Sequence, residues 1–96
     1  MLSKIPFEIA NLKKEMLDTE ILRIGIIAEL DAINLYEQLA AMTSNSDMKM
    51  MLLDIAKEEK THMGEFQTLL LELDPQQAKE LEAGKEEVEH ERKKKK

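Results

Sequence analysis

Cysteine is absent from the 96 residues, which excludes disulfides, thiolate catalysis, iron–sulfur clusters and cysteine-based zinc sites. Any metal must then be held by oxygen and imidazole. Tryptophan is also absent, and one tyrosine, two phenylalanines, three glycines and two prolines are too little aromatic and turn chemistry for a sheet protein. No window has the length and apolarity of a membrane span, and the opening MLSKIPFEIANLKKE lacks the apolar core and small-residue cleavage pattern of a signal peptide. A cytoplasmic protein with no membrane partner is expected. Positive charge is in deficit: 14 Lys and Arg against 20 Asp and Glu leave a net −6. Nucleic-acid binding needs a basic surface, so no nucleic-acid partner is expected.

What the chain does have is 43% hydrophobic and 35% charged residues, the composition of long amphipathic helices. A helical hairpin of this size buries too little surface to stand comfortably alone, so the expectation is one all-α domain that completes its core by oligomerising. Residues 1–11 show no period and read as an N-terminal arm, and helix one is expected over 12–42, with Asp18 or Thr19 either capping it or lying inside it. Leu22, Ile26, Leu30, Ile33 and Tyr36 recur there at helical spacing around Glu29. Thr43-Ser44-Asn45-Ser46-Asp47 is a short turn cluster, which forces helix two, 47–73, to run back antiparallel with Ser44 or Ser46 as its cap. Pro75 suits the first position of a short helix three over 75–91, with Gln77 able to close a capping box and Gly84 weakening or breaking the helix. Residues 92–96 read as a frayed basic tail. Residues 74–96 balance seven acids with seven bases, so the −6 belongs to the hairpin.

On helix two the series Leu52, Ile55, Glu59, His62, Phe66, Leu69 and Leu73 advances by threes and fours, placing a carboxylate and an imidazole on one apolar stripe. Glu59 and His62 form a Glu-x-x-His pair whose side chains leave the same side of the helix. Acid-rich helices produce that spacing by chance, and read without a metal His62 is a satisfied interior histidine and Glu59 a solvated charge. Glu29 tilts the reading. A buried carboxylate without a partner is expensive, no Lys or Arg shares its stripe, and two buried acids with a histidine call for a cation. One Glu plus one Glu-x-x-His is half of a carboxylate-bridged di-metal site, and two hairpins about a two-fold axis would supply both halves in a four-helix bundle. Two copies of Glu29, Glu59 and His62 match two divalent ions. Oxygen ligands with one imidazole per metal point to iron, with manganese, zinc or calcium as substitutes.

The segment from Ile24 to Leu73 resembles the encapsulated ferritins, a branch of the ferritin-like superfamily. Ala28-Glu29-Leu30-Asp31-Ala32-Ile33-Asn34-Leu35-Tyr36-Glu37-Gln38 is similar to that family's first-helix signature, and Glu58-Glu59-Lys60-Thr61-His62 to its second. The resemblance implies a two-helix hairpin with a shorter third helix, dimerising into a ferritin-like bundle and assembling as a decamer. It implies a ferroxidase that oxidises Fe(II) to Fe(III) with dioxygen at an interfacial di-iron centre, with a pair of irons per dimer. Carried over residue by residue, Glu29 and His62 become terminal ligands, Glu59 the bridge between the irons, and Tyr36 a neighbour of the centre. The implied partner is an encapsulin shell, and the implied location is inside such a nanocompartment. Some members admit metal through a pair of carboxylates near the first-helix ligand; this chain offers Asp31 but has Ala28, which implies a weaker or altered admission site. The chain ends in lysines where cargo proteins present an apolar targeting peptide or continue into the shell protein, which implies truncation or another route to the shell.

The remaining residues fit packing roles. Met48, Met50, Met51 and Met63 are expected as core filler rather than a soft-metal cluster, Gly25 and Gly64 as points of close helix approach, and His90 carries no assignment. Two other functions compete. A rubrerythrin-like di-iron peroxidase calls for a second Glu-x-x-His in the chain and usually a cysteine metal site, and a non-catalytic helical assembly protein calls for neither metal nor turnover.

Overall fold

The computed structural model describes residues 14–95; the expected arm over 1–11, the start of helix one at 12 and the final lysine lie outside the described residues. Three helices follow in chain order: α1, Lys14–Met42; α2, Ser46–Leu73; and α3, Pro75–Lys94. The all-α hairpin with a third helix is the expected architecture. Asp18 and Thr19 fall inside α1 rather than at its cap.

The turn between α1 and α2 is three residues long and is held by side chains. The Asn45 amide donates to Thr43 Oγ1 at 3.1 Å, and the Met48 amide donates to Asn45 Oδ1 at 3.0 Å. Asn45 is therefore the cap of α2, not Ser44 or Ser46: its extended backbone (φ −83°, ψ 117°) aims the side-chain oxygen at an amide of the first turn, which has no helical partner. Asp47 sits in that first turn, where the helix dipole favours a negative charge.

Asp74 alone separates α2 from α3. Its amide donates to the Leu70 carbonyl at 2.8 Å and its Oδ1 accepts from the Gln77 amide at 3.0 Å, with Pro75 opening α3. The expected capping box is not closed by Gln77, because the Asp74 amide it would need already closes α2. Arg23 of α1 reaches across 51 residues to Asp74 Oδ2 at 2.9 Å. Gly84 does not break α3, which continues through the expected tail to Lys94. A single glycine costs about 1 kcal/mol relative to alanine, and the Ala, Glu, Lys and Leu around it are good helix formers. Arg92, Lys93 and Lys94 form the last turn, where the carbonyl end of the dipole favours cations.

The hairpin and the third helix lie at an angle. The molecule measures 49 × 46 × 20 Å, and at about 1.5 Å per residue a helix the length of α1 fills only one of the two long dimensions. α3 projects along the other, touching α2 near the junction and burying no residue.

Packing within the chain is thin. Among the described residues, Ile33 and Ala40 of α1 and Ala56 and Leu70 of α2 are the buried core, against fifteen large apolar side chains left exposed. Leu30, expected on the inner stripe of α1, is among the exposed, as are Leu69 (52%) and Leu73 (53%) on α2. The physical reason is that the heptad spacing of α2 feeds two neighbouring faces. Ala56, Met63 and Leu70 turn toward α1, while His62, Leu69 and Leu73 lie at the open edge. Met48, Met50 and Met51 are not core filler in this chain but exposed, since a helix covered on one side cannot bury three residues spread around its first two turns.

Because a Cβ at Gly84 meets nothing within 4 Å, Gly84→Ala should stabilise α3 by about 1 kcal/mol. Amide exchange across residues 80–90 should slow several-fold; unchanged exchange would show that α3 does not pass through this position as a continuous helix.

Candidate metal centre

The antiparallel register places the middle of α1 beside the second half of α2, and three ligating side chains meet there. One oxygen each of Glu29 and Glu59 and one ring nitrogen of His62 lie within 4.8 Å of one another. Nδ1 of His62 is 3.6 Å from Glu59 Oε2 and 3.8 Å from Glu29 Oε2. These separations are too long for hydrogen bonds. They approach the roughly 3–3.5 Å between two ligands that share one ion at about 2.0–2.2 Å from each.

Burial grades across the cluster. The Glu29 side chain is 16% exposed and Glu59 20%, whereas His62 at 46% looks out along the open edge of α2. Glu29 Oε2 is fully buried and has no hydrogen-bond partner among the described residues, the configuration that a carboxylate avoids unless a cation or donor arrives. Lys60, one residue from Glu59, does not supply it: its Nζ pairs with Glu37 Oε2 at 3.0 Å. A cation fits this donor set, which among the described residues is the one group of three or more side chains able to hold a metal ion.

The other candidates stand apart from the three. Tyr36 is half-buried, two turns beyond Glu29 on the same side of α1, and no hydrogen bond joins its hydroxyl to the cluster among the described residues. Asp31 follows Glu29 by two residues, which is about 200° around a helix, and is not part of the cluster. Its Oδ2 is nonetheless buried without a partner, something that position in the sequence did not reveal. Of the two glycines expected at close approaches, Gly25 meets the Phe66 ring and Gly64 meets nothing within 4 Å. The Arg23–Asp74 and Lys60–Glu37 pairs were also missed, since long-range ion pairs leave no periodic signal.

A family model described as Rubrerythrin matches residues 20–96. The chain belongs to the rubrerythrin family. The resemblance to encapsulated ferritins holds as well: the crystal structure of the encapsulated ferritin domain from Pyrococcus furiosus superposes with a TM-score of 0.79 at 50% identity, covering 91% of this chain and 92% of that one. A ferritin-like-encapsulin shell fusion protein of Pyrococcus furiosus is 58% identical over 76 residues, 79% of this chain and 21% of that protein. An encapsulin nanocompartment cargo protein, EncC, of Myxococcus xanthus is 44% identical over 68 residues, 68% of this chain and 52% of that protein. This rubrerythrin-family chain thus spans about a fifth of the first relative and half of the second. No helix among the described residues is long and apolar enough to cross a membrane.

A buried carboxylate oxygen without a partner weakens a chain that has no cation to compensate it. Glu29→Leu should therefore raise the melting temperature of metal-free protein, by the equivalent of about 1–2 kcal/mol, because an apolar side chain replaces an uncompensated charge. It should also abolish stabilisation by added Co(II). A lower melting temperature in the metal-free variant would mean that Glu29 is already compensated.

Proposed function

We propose that the chain is one half of a ferroxidase, oxidising Fe(II) to Fe(III) with dioxygen at a di-iron centre built between two subunits, and that it delivers iron for storage inside an encapsulin compartment. The observation that carries this reading is the partnerless buried oxygen of Glu29, facing His62 from across the hairpin with Glu59 alongside. Two hairpins related by a two-fold axis bring four carboxylates and two imidazoles to one bundle, the ligand inventory of a ferritin-like di-iron site. The apolar edge supports the same pairing. Leu69 and Leu73 share it with His62, and together with Ile21 and Leu22 they line a groove along the hairpin, so the surface a second copy would cover includes the open side of the centre.

Each residue then has a defined task. Glu29 and His62 would hold an ion from facing helices, and Glu59 would be the carboxylate shared with the second ion, together supplying a centre for one-electron oxidation of each iron. His62 ligates through Nδ1, the nitrogen already turned toward both carboxylates. Asp31 attracts incoming cations, with less pull than a carboxylate pair because Ala28 offers no second acid. Tyr36 fills the space beside the centre. Ferrous iron is the substrate, each ion giving one electron to dioxygen, and the ferric product passes to storage. In the assembled state the subunits form a homo-oligomer, a decamer by analogy with encapsulated ferritins, with the encapsulin shell as partner and the compartment as location. The names of both curated relatives support that partner.

The family match keeps a second reading, a di-iron peroxidase of rubrerythrin type. The test uses metal-free protein given Fe(II) in air or anaerobically with hydrogen peroxide, with Fe(III) formation, bound iron and oligomer size followed together. The expected result is about one iron per chain, association promoted by metal, and turnover with dioxygen. Glu59→Ala should lower the rate more than about 100-fold, since loss of outer partners of a ligand already costs 10- to 100-fold. Oxidation by peroxide alone would favour the second reading, and a chain that neither binds nor oxidises iron would leave only helical assembly.

A further inference from the structure

Gly25 lies four residues before Glu29 on α1, and Phe66 lies four residues after His62 on α2. The two meet across the hairpin one helical turn from the metal centre. A Cβ added to Gly25 would stand 3.0 Å from both Cδ1 and Cε1 of the Phe66 ring and 3.2 Å from its Cγ. Carbon atoms in contact prefer about 3.5–4.0 Å, so a single methyl group would require the Phe66 ring, or the helix that carries it, to give by a few tenths of an ångström. Nothing in the backbone asks for glycine here: no glycine among the described residues has a positive φ, and the position is helix interior, where glycine is the poorest choice after proline. Close approach is the property that glycine supplies at this point. Gly64 and Gly84, with open space where a Cβ would be, show that the contact belongs to Gly25 alone.

We propose that Gly25 and Phe66 are positioning residues that set the distance between α1 and α2 at the metal centre, and through it the separation of Glu29 from its ligand partners. This rests on the metal-binding reading of Glu29, Glu59 and His62. Glu59 and His62 share a helix, so their spacing is indifferent to how far α1 stands from α2. Glu29 comes from the opposite helix, and its 3.8 Å separation from His62 changes directly with the interhelical distance. Four residues are about 6 Å of helix axis, too short a span for a stiff helix to absorb a displacement of a few tenths of an ångström passed on by the ring. Metal–ligand distances tolerate only about 0.2 Å. The methyl group is therefore felt at the ligands as a lengthened bond from Glu29, while the pair on α2 stays intact.

The experiment measures Co(II) affinity and the visible spectrum of the bound ion for the full chain, with melting temperatures in parallel. The proteins compared are wild type, Gly25→Ala, Phe66→Leu, the double variant, Gly84→Ala and Glu59→Ala. Gly25→Ala should bind Co(II) at least about tenfold more weakly with an altered spectrum. Its melting temperature should not rise, although alanine for glycine in an unobstructed helix raises it. Phe66→Leu removes the ring that the methyl group meets, so in that background Gly25→Ala should cost less than about threefold. Gly84→Ala should bind like wild type. If Gly25→Ala fails to fold, the double variant should still fold and bind, and its failure to do so overturns the proposal. Wild-type affinity in Gly25→Ala, or the same loss with and without the Phe66 ring, also overturns it. Loss of Co(II) binding in Glu59→Ala secures the metal reading independently; an unaffected Glu59→Ala would sink that reading instead, so the two failures are told apart.

Discussion

The register of α1 against α2 decides whether three side chains from two helices can come within reach of one ion. Within α2, Glu59 and His62 are brought together by helical geometry alone. Glu29 arrives only because the turn after Met42 is three residues long and the helices run back along each other without slipping. Lys60 with Glu37 beside the cluster, Gly25 with Phe66 one helical turn beyond it, and Arg23 with Asp74 at the end of α2 hold that alignment. The exposed Lys60–Glu37 pair contributes little energy by itself. Its value is directional, since a slip of one helical turn would separate all three contacts together.

Incompleteness recurs at two levels and in one place. Among the described residues four apolar side chains are buried and many more are exposed, which is an unfinished core. The ligand cluster has one imidazole, and that imidazole lies at the open edge with Leu69 and Leu73. In the proposed pair of hairpins one surface would finish both. Folding energy and ion binding would then be linked, because whatever binds the assembled state preferentially also stabilises it.

Much of this was legible beforehand. Glu29, Glu59 and His62 stood out because each broke an otherwise apolar period, and the turn cluster at 43–47 dictated an antiparallel return. What escaped was of a different physical kind. Heptad spacing defines a stripe but not which of two adjacent faces meets the partner within the chain, so Leu30, Leu69 and Leu73 were assigned inward and lie outside. Choosing among Ser44, Asn45 and Ser46 for the cap turns on one residue's backbone angles, which three neighbouring good cappers leave undetermined. Gly84 does not interrupt α3 because a local propensity of about 1 kcal/mol is outweighed by the helix formers on either side. The partnerless Asp31 oxygen depends on how side chains pack around one atom, and no periodic pattern carries that.

Asp74 makes the joint between α2 and α3 a single residue, and that residue is held at its amide, its Oδ1 and its Oδ2 at once. A joint so short and so fully restrained turns α3 into a lever arm. At about 1.5 Å per residue its 20 residues extend about 30 Å, so each 10° of rotation at Asp74 would sweep the lysine-bearing tip through about 5 Å. Three short polar contacts at one end of the molecule thus fix where the basic last turn of α3, Arg92, Lys93 and Lys94, is carried at the other, and a single carboxylate serves as the protractor for the angle between the hairpin and whatever α3 meets.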